Sequence, residues 1–443
     1  MKKKGLVIGA GRSGTAAAGF LARQNWEVIL SDLEKPSSFK EPSEKMAYHW
    51  GKQTEELLQE VSLVVTSPGI SLEIPIIQTA LKKGIEVIGE LELFSRNCSL
   101  PILAVTGTNG KTTTTTLLAK MMEKSGKPII LGGNIGRALS EEADYLPKEG
   151  WVVLEVSSYQ LETTKSFRPH IAGILNLTPD HLERHKTFEN YQKMKEKIFA
   201  NQTSGDILLL NQGDSLVKEM AQRACSEVCM FDALRPVERG IWGDESSLYH
   251  NLHGTIMEIL SWKDTSLVGL HNRENIAMAA GMALSAGISE ASIRETVMNF
   301  SAVEHRIEWI RSLDGVDYYN DSKATNPDSV IKALESFERP IVWLAGGYDK
   351  GSDLAEMMKI AKKKAFYSIF FGKAGGRFFK EAKEIGLTHG IQVDLLEDAL
   401  AEAKKIARRD DIVLLSPACS SFDQFTSYEE RGRFFKEWTG ELK

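Results

Sequence analysis

The segment Gly107-Thr108-Asn109-Gly110-Lys111-Thr112-Thr113 carries the residue types that hold a polyphosphate. Glycines let backbone N–H groups approach an anion, and a helix that follows presents its positive dipole end to the same charge. Lys111 would neutralise the outer phosphates, and Thr112 would offer a hydroxyl to Mg2+. Val105 stands where the general phosphate loop has its first glycine, so the signal lies in the Gly-Lys-Thr half and the strand that feeds it. A magnesium ion on a triphosphate takes hard oxygen ligands and sometimes an imidazole. Glu155, which closes the apolar run Trp151-Val152-Val153-Leu154, and His181, in Asn176-Leu177-Thr178-Pro179-Asp180-His181, are candidates for it. Each has a plainer reading, Glu155 as an acid at a helix N-terminus and His181 as a capping or surface histidine.

Two further glycine turns could bind phosphate or simply reverse the chain. Gly9-Ala10-Gly11-Arg12-Ser13-Gly14 follows an apolar run and Asp32 ends the next, which is open to a dinucleotide or to another diphosphate. Lys350 sits in Gly346-Gly347-Tyr348-Asp349-Lys350-Gly351, which could equally be only a loop. The cysteines Cys98, Cys225, Cys229 and Cys419 show no repeated metal spacing, so neither a disulfide framework nor a zinc site is expected.

The elements that must position these residues form three sets. Leu6-Val7-Ile8, Glu27-Val28-Ile29-Leu30 and Leu63-Val64-Val65-Thr66 each end at turn residues and precede a helical pattern, as in a parallel sheet with crossover helices. A second α/β set starts at Ile102-Leu103-Ala104-Val105 and continues through Trp151–Leu154, Ile171–Leu175 and Ile207–Leu210. Shorter β-like patterns follow between about Val228 and Gly269, then a helical stretch over Arg273 to Gly287. A third set runs through Val316–Tyr319, Pro340–Leu344, Tyr367–Phe371 and Asp411–Leu415.

The 443 residues suggest roughly three domains at about 150 residues each. With 42% hydrophobic and 26% charged residues, the chain is neither disordered nor fibrous. Its net charge of -6 argues against nucleic acid as the main partner. The basic start Met1-Lys2-Lys3-Lys4 leads into an apolar stretch broken by Gly9, Gly11, Arg12 and Gly14, unlike a signal peptide, and no run reaches bilayer length. A cytoplasmic protein without membrane insertion is expected.

Taken together, the phosphate loop, Gly133-Asn134-Ile135-Gly136, Glu155-Val156-Ser157-Ser158-Tyr159-Gln160 and Asp180-His181 resemble the Mur ligases of bacterial cell-wall synthesis. His305-Arg306, Asn320-Asp321-Ser322-Lys323-Ala324-Thr325-Asn326-Pro327 and Ser416-Pro417-Ala418-Cys419-Ser420-Ser421-Phe422-Asp423-Gln424-Phe425 resemble the branch that adds D-glutamate. The resemblance covers nearly the whole chain. It implies three α/β domains: a Rossmann-like domain over 1–96 for a UDP substrate, a central ATP-binding domain with the phosphate loop and a parallel sheet over 97–302, and a Rossmann-like domain over 303–443 for the amino acid. It also implies a monomer with ATP and Mg2+ as cofactors, joining the alanyl carboxylate of UDP-N-acetylmuramoyl-L-alanine to D-glutamate through an acyl phosphate.

The same resemblance assigns roles residue by residue. Lys111, Thr112, Glu155 and His181 would hold phosphate and metal, and Asn134 would lie near the reacting carboxylate. Lys195 aligns with a lysine that the family carbamylates, although with Lys193 and Lys197 beside it the residues alone suggest a solvated helix lysine. Asn272, Arg306 and Asp321 would meet the base and ribose of ATP, and Arg12, Ser13, Asp32, Ser67 and Gly69, with Asn134 and His181, the UDP substrate. Lys323, Thr325, Lys350, Ser421 and Phe422 would hold D-glutamate. An NAD-linked oxidoreductase and a nucleotide-dependent switch are the rival classes, and neither uses Asp321-Ser322-Lys323 with Ser421. Within the ligases, folylpolyglutamate synthase shares the phosphate loop.

Overall fold

The structure is a computed structural model that describes residues 3–36, 39, 46–252, 254–301, 303–349 and 351–442. Ala302, at the second expected boundary, and Lys350 lie outside the described residues. The chain forms two compact units, Met1–Leu260 with Asn275–Thr296 and Ser261–Glu274 with Val297–Lys443.

Among the described residues the first unit holds two sheets. In the first, the order is Ala47–Trp50, Glu27–Asp32, Lys4–Ile8, Val61–Thr66, Glu86–Gly89, all parallel. Leu6, Val7 and Ile8 are wholly buried because helices cover both faces of the central strand. Helix Arg12–Arg23 buries Ala17, Ala18, Phe20 and Leu21. Its start needs Gly14, since a Cβ there would stand 1.8 Å from the Gly9 carbonyl oxygen.

The second sheet has nine strands, in the order Met257–Ser261, Ser247–His250, Gly240–Gly243, Glu227–Asp232, Ile207–Asn211, Ile171–Ile174, Ile102–Thr106, Trp151–Glu155, Ile129–Gly133. Ile102–Thr106, which feeds the phosphate loop, therefore runs parallel between the strand that ends at Glu155 and the strand that leads to Asn176. Ligand-binding residues gather at the carboxyl ends of such strands.

Helix Glu90–Arg96 ties the two sheets together. The Glu92 side chain is fully buried, and its carboxylate accepts hydrogen bonds from the backbone N–H groups of Lys165, Ser166 and Phe167 at 2.9 to 3.0 Å, from Ser166 Oγ at 2.6 Å and from Arg96 Nε at 2.8 Å. Burial pushes this carboxyl up, but the bonds from Ser166, Lys165 and Arg96 outweigh it and hold it below its usual value.

The second unit carries a six-stranded sheet, Glu308–Leu313, Val316–Asn320, Ile412–Ala418, Ile341–Gly346, Ala365–Phe371, Gly390–Gln392, with only the first pair antiparallel. Trp343, Leu344, Val413 and Leu414 are buried at its centre. Among the described residues no helix is long and apolar enough to cross a membrane.

Candidate functional site

The phosphate loop leaves the strand Ile102–Thr106 with Gly107 at φ 148° and Gly110 at φ 85°, where it caps helix Lys111–Glu123. Both angles favour glycine, and a Cβ on Gly110 would lie 2.2 Å from Asn275 Oδ1. Lys111 Nζ donates to the carbonyls of Gly107 (2.8 Å) and Thr108 (2.7 Å). Thr112, at the second helical position, is buried. Asn176, at the end of the neighbouring strand, brackets the loop tip: its Oδ1 accepts from Asn109 N (2.8 Å), its Nδ2 donates to Asn109 O (3.2 Å), and its carbonyl accepts from Thr108 N (2.9 Å).

Lys195 is not the solvated helix lysine that its charged neighbours suggest. It is 1% exposed, and its Nζ donates to the Gly107 carbonyl (2.6 Å) and Thr106 Oγ1 (3.3 Å) with the Tyr191 ring 5.1 Å away. Helix Phe188–Glu196 turns Tyr191 and Lys195, four residues apart, onto one buried face. Two amines thus share one carbonyl oxygen. Burial drives the Lys195 ammonium well below the usual lysine value, and the charge of Lys111 adds to the effect, while Asp180 and Glu155 oppose it.

Glu155 is buried at the strand end, and Asn134 holds it: Asn134 N donates to the Glu155 carbonyl (2.8 Å) and Asn134 Nδ2 to Glu155 Oε1 (2.7 Å). Glu155 Oε2 is buried with no hydrogen-bond partner. A lone carboxylate oxygen of this kind is costly unless something binds it, and it is the ligand type a hard divalent cation takes. His181 starts the short helix Leu182–His185 at φ 53°, with Nδ1 3.1 Å from the Tyr159 hydroxyl and Nε2 3.6 Å from Asp180. Of the residues expected to hold Mg2+, Glu155 supplies the ligand type that fits a hard cation, a buried carboxylate oxygen without a partner, and Thr112 a hydroxyl at the start of the loop's helix.

At the first glycine turn, the Asp32 carboxylate accepts from Ala10 N and Leu33 N, both at 2.7 Å, so it closes the turn that it was expected to serve as a ligand residue. Ser67 Oγ donates to the Gly9 carbonyl (3.1 Å), and Gly69 beside it is exposed. Arg12 Nη1 reaches the Gly136 carbonyl (2.7 Å), bringing the turn next to the segment that carries Asn134, while the buried Glu90 behind it accepts from Ser140 N (3.0 Å) and Ser13 helps to offset the rise that burial gives its carboxyl.

In the second unit, a cavity of about 450 Å3 is lined by Leu267, Val268, Asn272, Ile307, Trp309 and Tyr319, a volume suited to a nucleobase with its sugar. Beside it, Asp321 accepts from Ser416 Oγ (2.7 Å) and Ile307 N (3.3 Å), and burial raises its carboxyl to about 7. Arg306 Nε is buried without a partner. The loops after the strands Val316–Asn320 and Ile412–Ala418 present Lys323, Thr325, Ser421 and Phe422; Ser421 Oγ is buried with no partner and Phe422 is 70% exposed.

Spacing alone did not disclose Asn176 or Arg431. Arg431, fully buried, donates to Ser322 Oγ (3.0 Å), Ser322 O (2.8 Å), Cys419 O (3.0 Å) and Ser420 O (3.3 Å), pinning the Lys323 and Ser421 loops to each other. Burial lowers its guanidinium to about 10, still charged at neutral pH. Its only trace in the sequence is the Arg-Gly pair 431–432, where a Cβ on Gly432 would strike the His305 ring at 2.1 Å.

The Mur ligase MurD-like N-terminal domain matches residues 3–89, the Mur ligase middle domain 105–283, and the Mur ligase glutamate ligase domain 305–419. The UDP-N-acetylmuramoylalanine–D-glutamate ligase of Pelotomaculum thermopropionicum is 41% identical over 450 residues, covering 100% of this chain and 98% of its own. That of Koribacter versatilis is 41% identical over 440 residues, covering 98% and 96%. Among solved structures, a pseudomurein peptide ligase type C from Methanothermus fervidus superposes with a TM-score of 0.63 at 19% identity, and the UDP-N-acetylmuramate-alanine ligase of Thermotoga maritima with 0.61 at 20%, each pair covering 100% of both chains. Those two likenesses are of fold. With full-length relatives at this identity and a domain match in each third of the sequence, the chain belongs to the Mur ligase family.

Proposed function

We propose that this chain is an ATP-dependent ligase that joins D-glutamate to UDP-N-acetylmuramoyl-L-alanine in the cytoplasm, with residues 1–96 for the UDP substrate, 97–302 for ATP and 303–443 for the amino acid. The observation that carries it is that three of the eight buried side-chain polar atoms without partners among the described residues, Glu155 Oε2, Arg306 Nε and Ser421 Oγ, belong to residues read as holding metal, nucleotide and amino acid. Native proteins leave few such atoms, and a bound ion or a catalytic role is among the reasons for one.

The alanyl carboxylate is a poor electrophile and must first take the γ-phosphoryl group of ATP, releasing ADP. The amine of D-glutamate then attacks the acyl phosphate, and phosphate departs as the amide forms. Lys111 neutralises the phosphate oxygens as charge shifts toward ADP, and the loop N–H groups, held by Asn176, orient them. Thr112, Glu155 and His181 would hold Mg2+, which supplies charge that lets the two anions approach. Asn134 holds Glu155 by one oxygen and leaves the other for the metal. Lys195, low in proton affinity, is read as adding CO2 at its neutral Nζ to give a carbamate and a proton, which converts a buried amine into an anionic oxygen donor.

In the second unit Lys323, Thr325 and Ser421 would take the two carboxylates of D-glutamate, together with Lys350. Arg431 supplies a fixed positive charge beneath their loops. Phosphate release from ATP, measured with UDP-N-acetylmuramoyl-L-alanine and each of D-glutamate, L-glutamate, L-alanine and a diamino acid, tests the reading. Release that depends on D-glutamate is expected, and indifference to which amino acid is added would defeat it.

A further inference from the structure

One guanidinium lies between the 67–71 loop and the short helix that starts after His181. Arg184 Nη2 donates to the Ile70 carbonyl (2.7 Å) and to Glu162 Oε2 (2.6 Å), and its Nε lies 3.1 Å from both Glu162 oxygens. The two side chains are only 15% and 11% exposed. The guanidinium also stands 5.4 Å from the centre of the Tyr159 ring, whose hydroxyl meets His181 Nδ1. From Glu162 the polar chain continues to His185 Nδ1 (3.4 Å), and His185 Nε2 contacts Ser158 Oγ (3.0 Å). A single network thus joins the loop that carries Ser67 and Gly69 to both ends of the segment between Glu155 and His181.

The arrangement is specific to arginine. A lysine could neutralise Glu162 as a point charge, but only a planar fork can pair with a carboxylate through two nitrogens and still offer an N–H to a carbonyl on another sheet. A strut that served stability alone would not need to end on a loop tip, where backbone is otherwise free to move.

We propose that Arg184 is a positioning residue for the UDP-linked acceptor: it fixes the 67–71 loop to the segment bearing Tyr159 and His181. One side chain then sets both how the acceptor is held and where its carboxylate meets the phosphoryl group. This rests on the assignment of Ser67 and Gly69 to the acceptor.

The test is steady-state kinetics on the full chain, each of the three substrates varied in turn, for Arg184→Lys and for the double variant Arg184→Gln with Glu162→Gln. The double variant removes both charges, so no unpaired buried ion is left to unfold the protein. The acceptor KM is expected to rise about tenfold or more in both, with the KM values for ATP and D-glutamate within about twofold of the natural chain, because small misplacements at one subsite are felt there. An unchanged acceptor KM overturns the proposal, and so does a parallel rise of all three KM values with a lowered Tm. If the natural chain itself shows no acceptor-dependent ADP release, it is the ligase reading that has failed, and the proposal falls with it.

Discussion

Two amines that donate to one carbonyl oxygen cannot both keep a proton cheaply, and at Gly107 the buried one, Lys195, yields. A neutral amine reacts with CO2, so Lys195→Ala is expected to lower ligase activity by about 100-fold or more, the scale of a lost electrostatic group. Short carboxylates added to the assay should restore part of it, and full activity without them would rule the role out. Asp321 makes the opposite case. Burial lifts its carboxyl from 3.8 to about 7, so the folded chain holds that proton more tightly than the unfolded one. Its contribution to stability is therefore present in full below about 3.8 and is lost as pH rises toward about 7. Asp321→Asn carries no such term. Without nucleotide, the variant should gain on the natural chain by up to about 2–3 kcal/mol between about pH 5 and pH 8, followed by denaturant unfolding. A gap that does not change with pH would show that the carboxyl is not raised.

The apolar runs read from the sequence mark interior strands, and among the described residues the five strands they leave unmarked all lie at sheet edges: Ala47–Trp50, Glu86–Gly89, Ile129–Gly133, Glu308–Leu313 and Gly390–Gln392. An edge strand has one neighbour and often one wet face, so it needs no unbroken apolar run, as the mostly part-exposed patterns of Ala47–Trp50 and Gly390–Gln392 show. The candidate site divides in a similar way. Lys111 and Thr112 were legible because the loop, its strand and its helix are contiguous, whereas Arg431 acts on Ser322, 109 positions away, and Asn176 on Asn109, 67 positions away. Neighbourhoods of that kind are made by strand order, which no local spacing encodes. The strand order also yields a prediction. Because Asn176 brackets the phosphate loop from the adjacent strand, Asn176→Ala should remove the side-chain bonds it makes to both Asn109 backbone groups and destabilise the fold by about 1–3 kcal/mol. It should raise the KM for ATP while leaving that for D-glutamate alone, and equal effects on both would place the bracket outside nucleotide binding.

At the scale of the whole molecule, the four thiols should be told apart by where the fold puts them. Cys225 is exposed, Cys98 half-buried, and Cys229 and Cys419 buried, with burial raising the last two to about 11 and about 12. Since the thiolate is the nucleophile, an aromatic disulfide reagent should titrate one cysteine quickly in the folded chain and all four in denaturant, Cys419 being slowest. Two fast thiols in the folded chain would contradict the packing. The molecule also explains why its first two sheets behave as one unit. Glu92 belongs by sequence to the first sheet's last helix, yet the backbone N–H groups of residues 165, 166 and 167 all donate to it. Anyone building hybrids from relatives of this enzyme would meet that carboxylate as a hidden seam. A crossover near residue 97 looks clean on the chain but parts an anion from the groups that solvate it, so a hybrid should be most stable when the donor of residues 86–97 also provides residues 162–168, which keeps the three amides in register and the Ser166 hydroxyl in place.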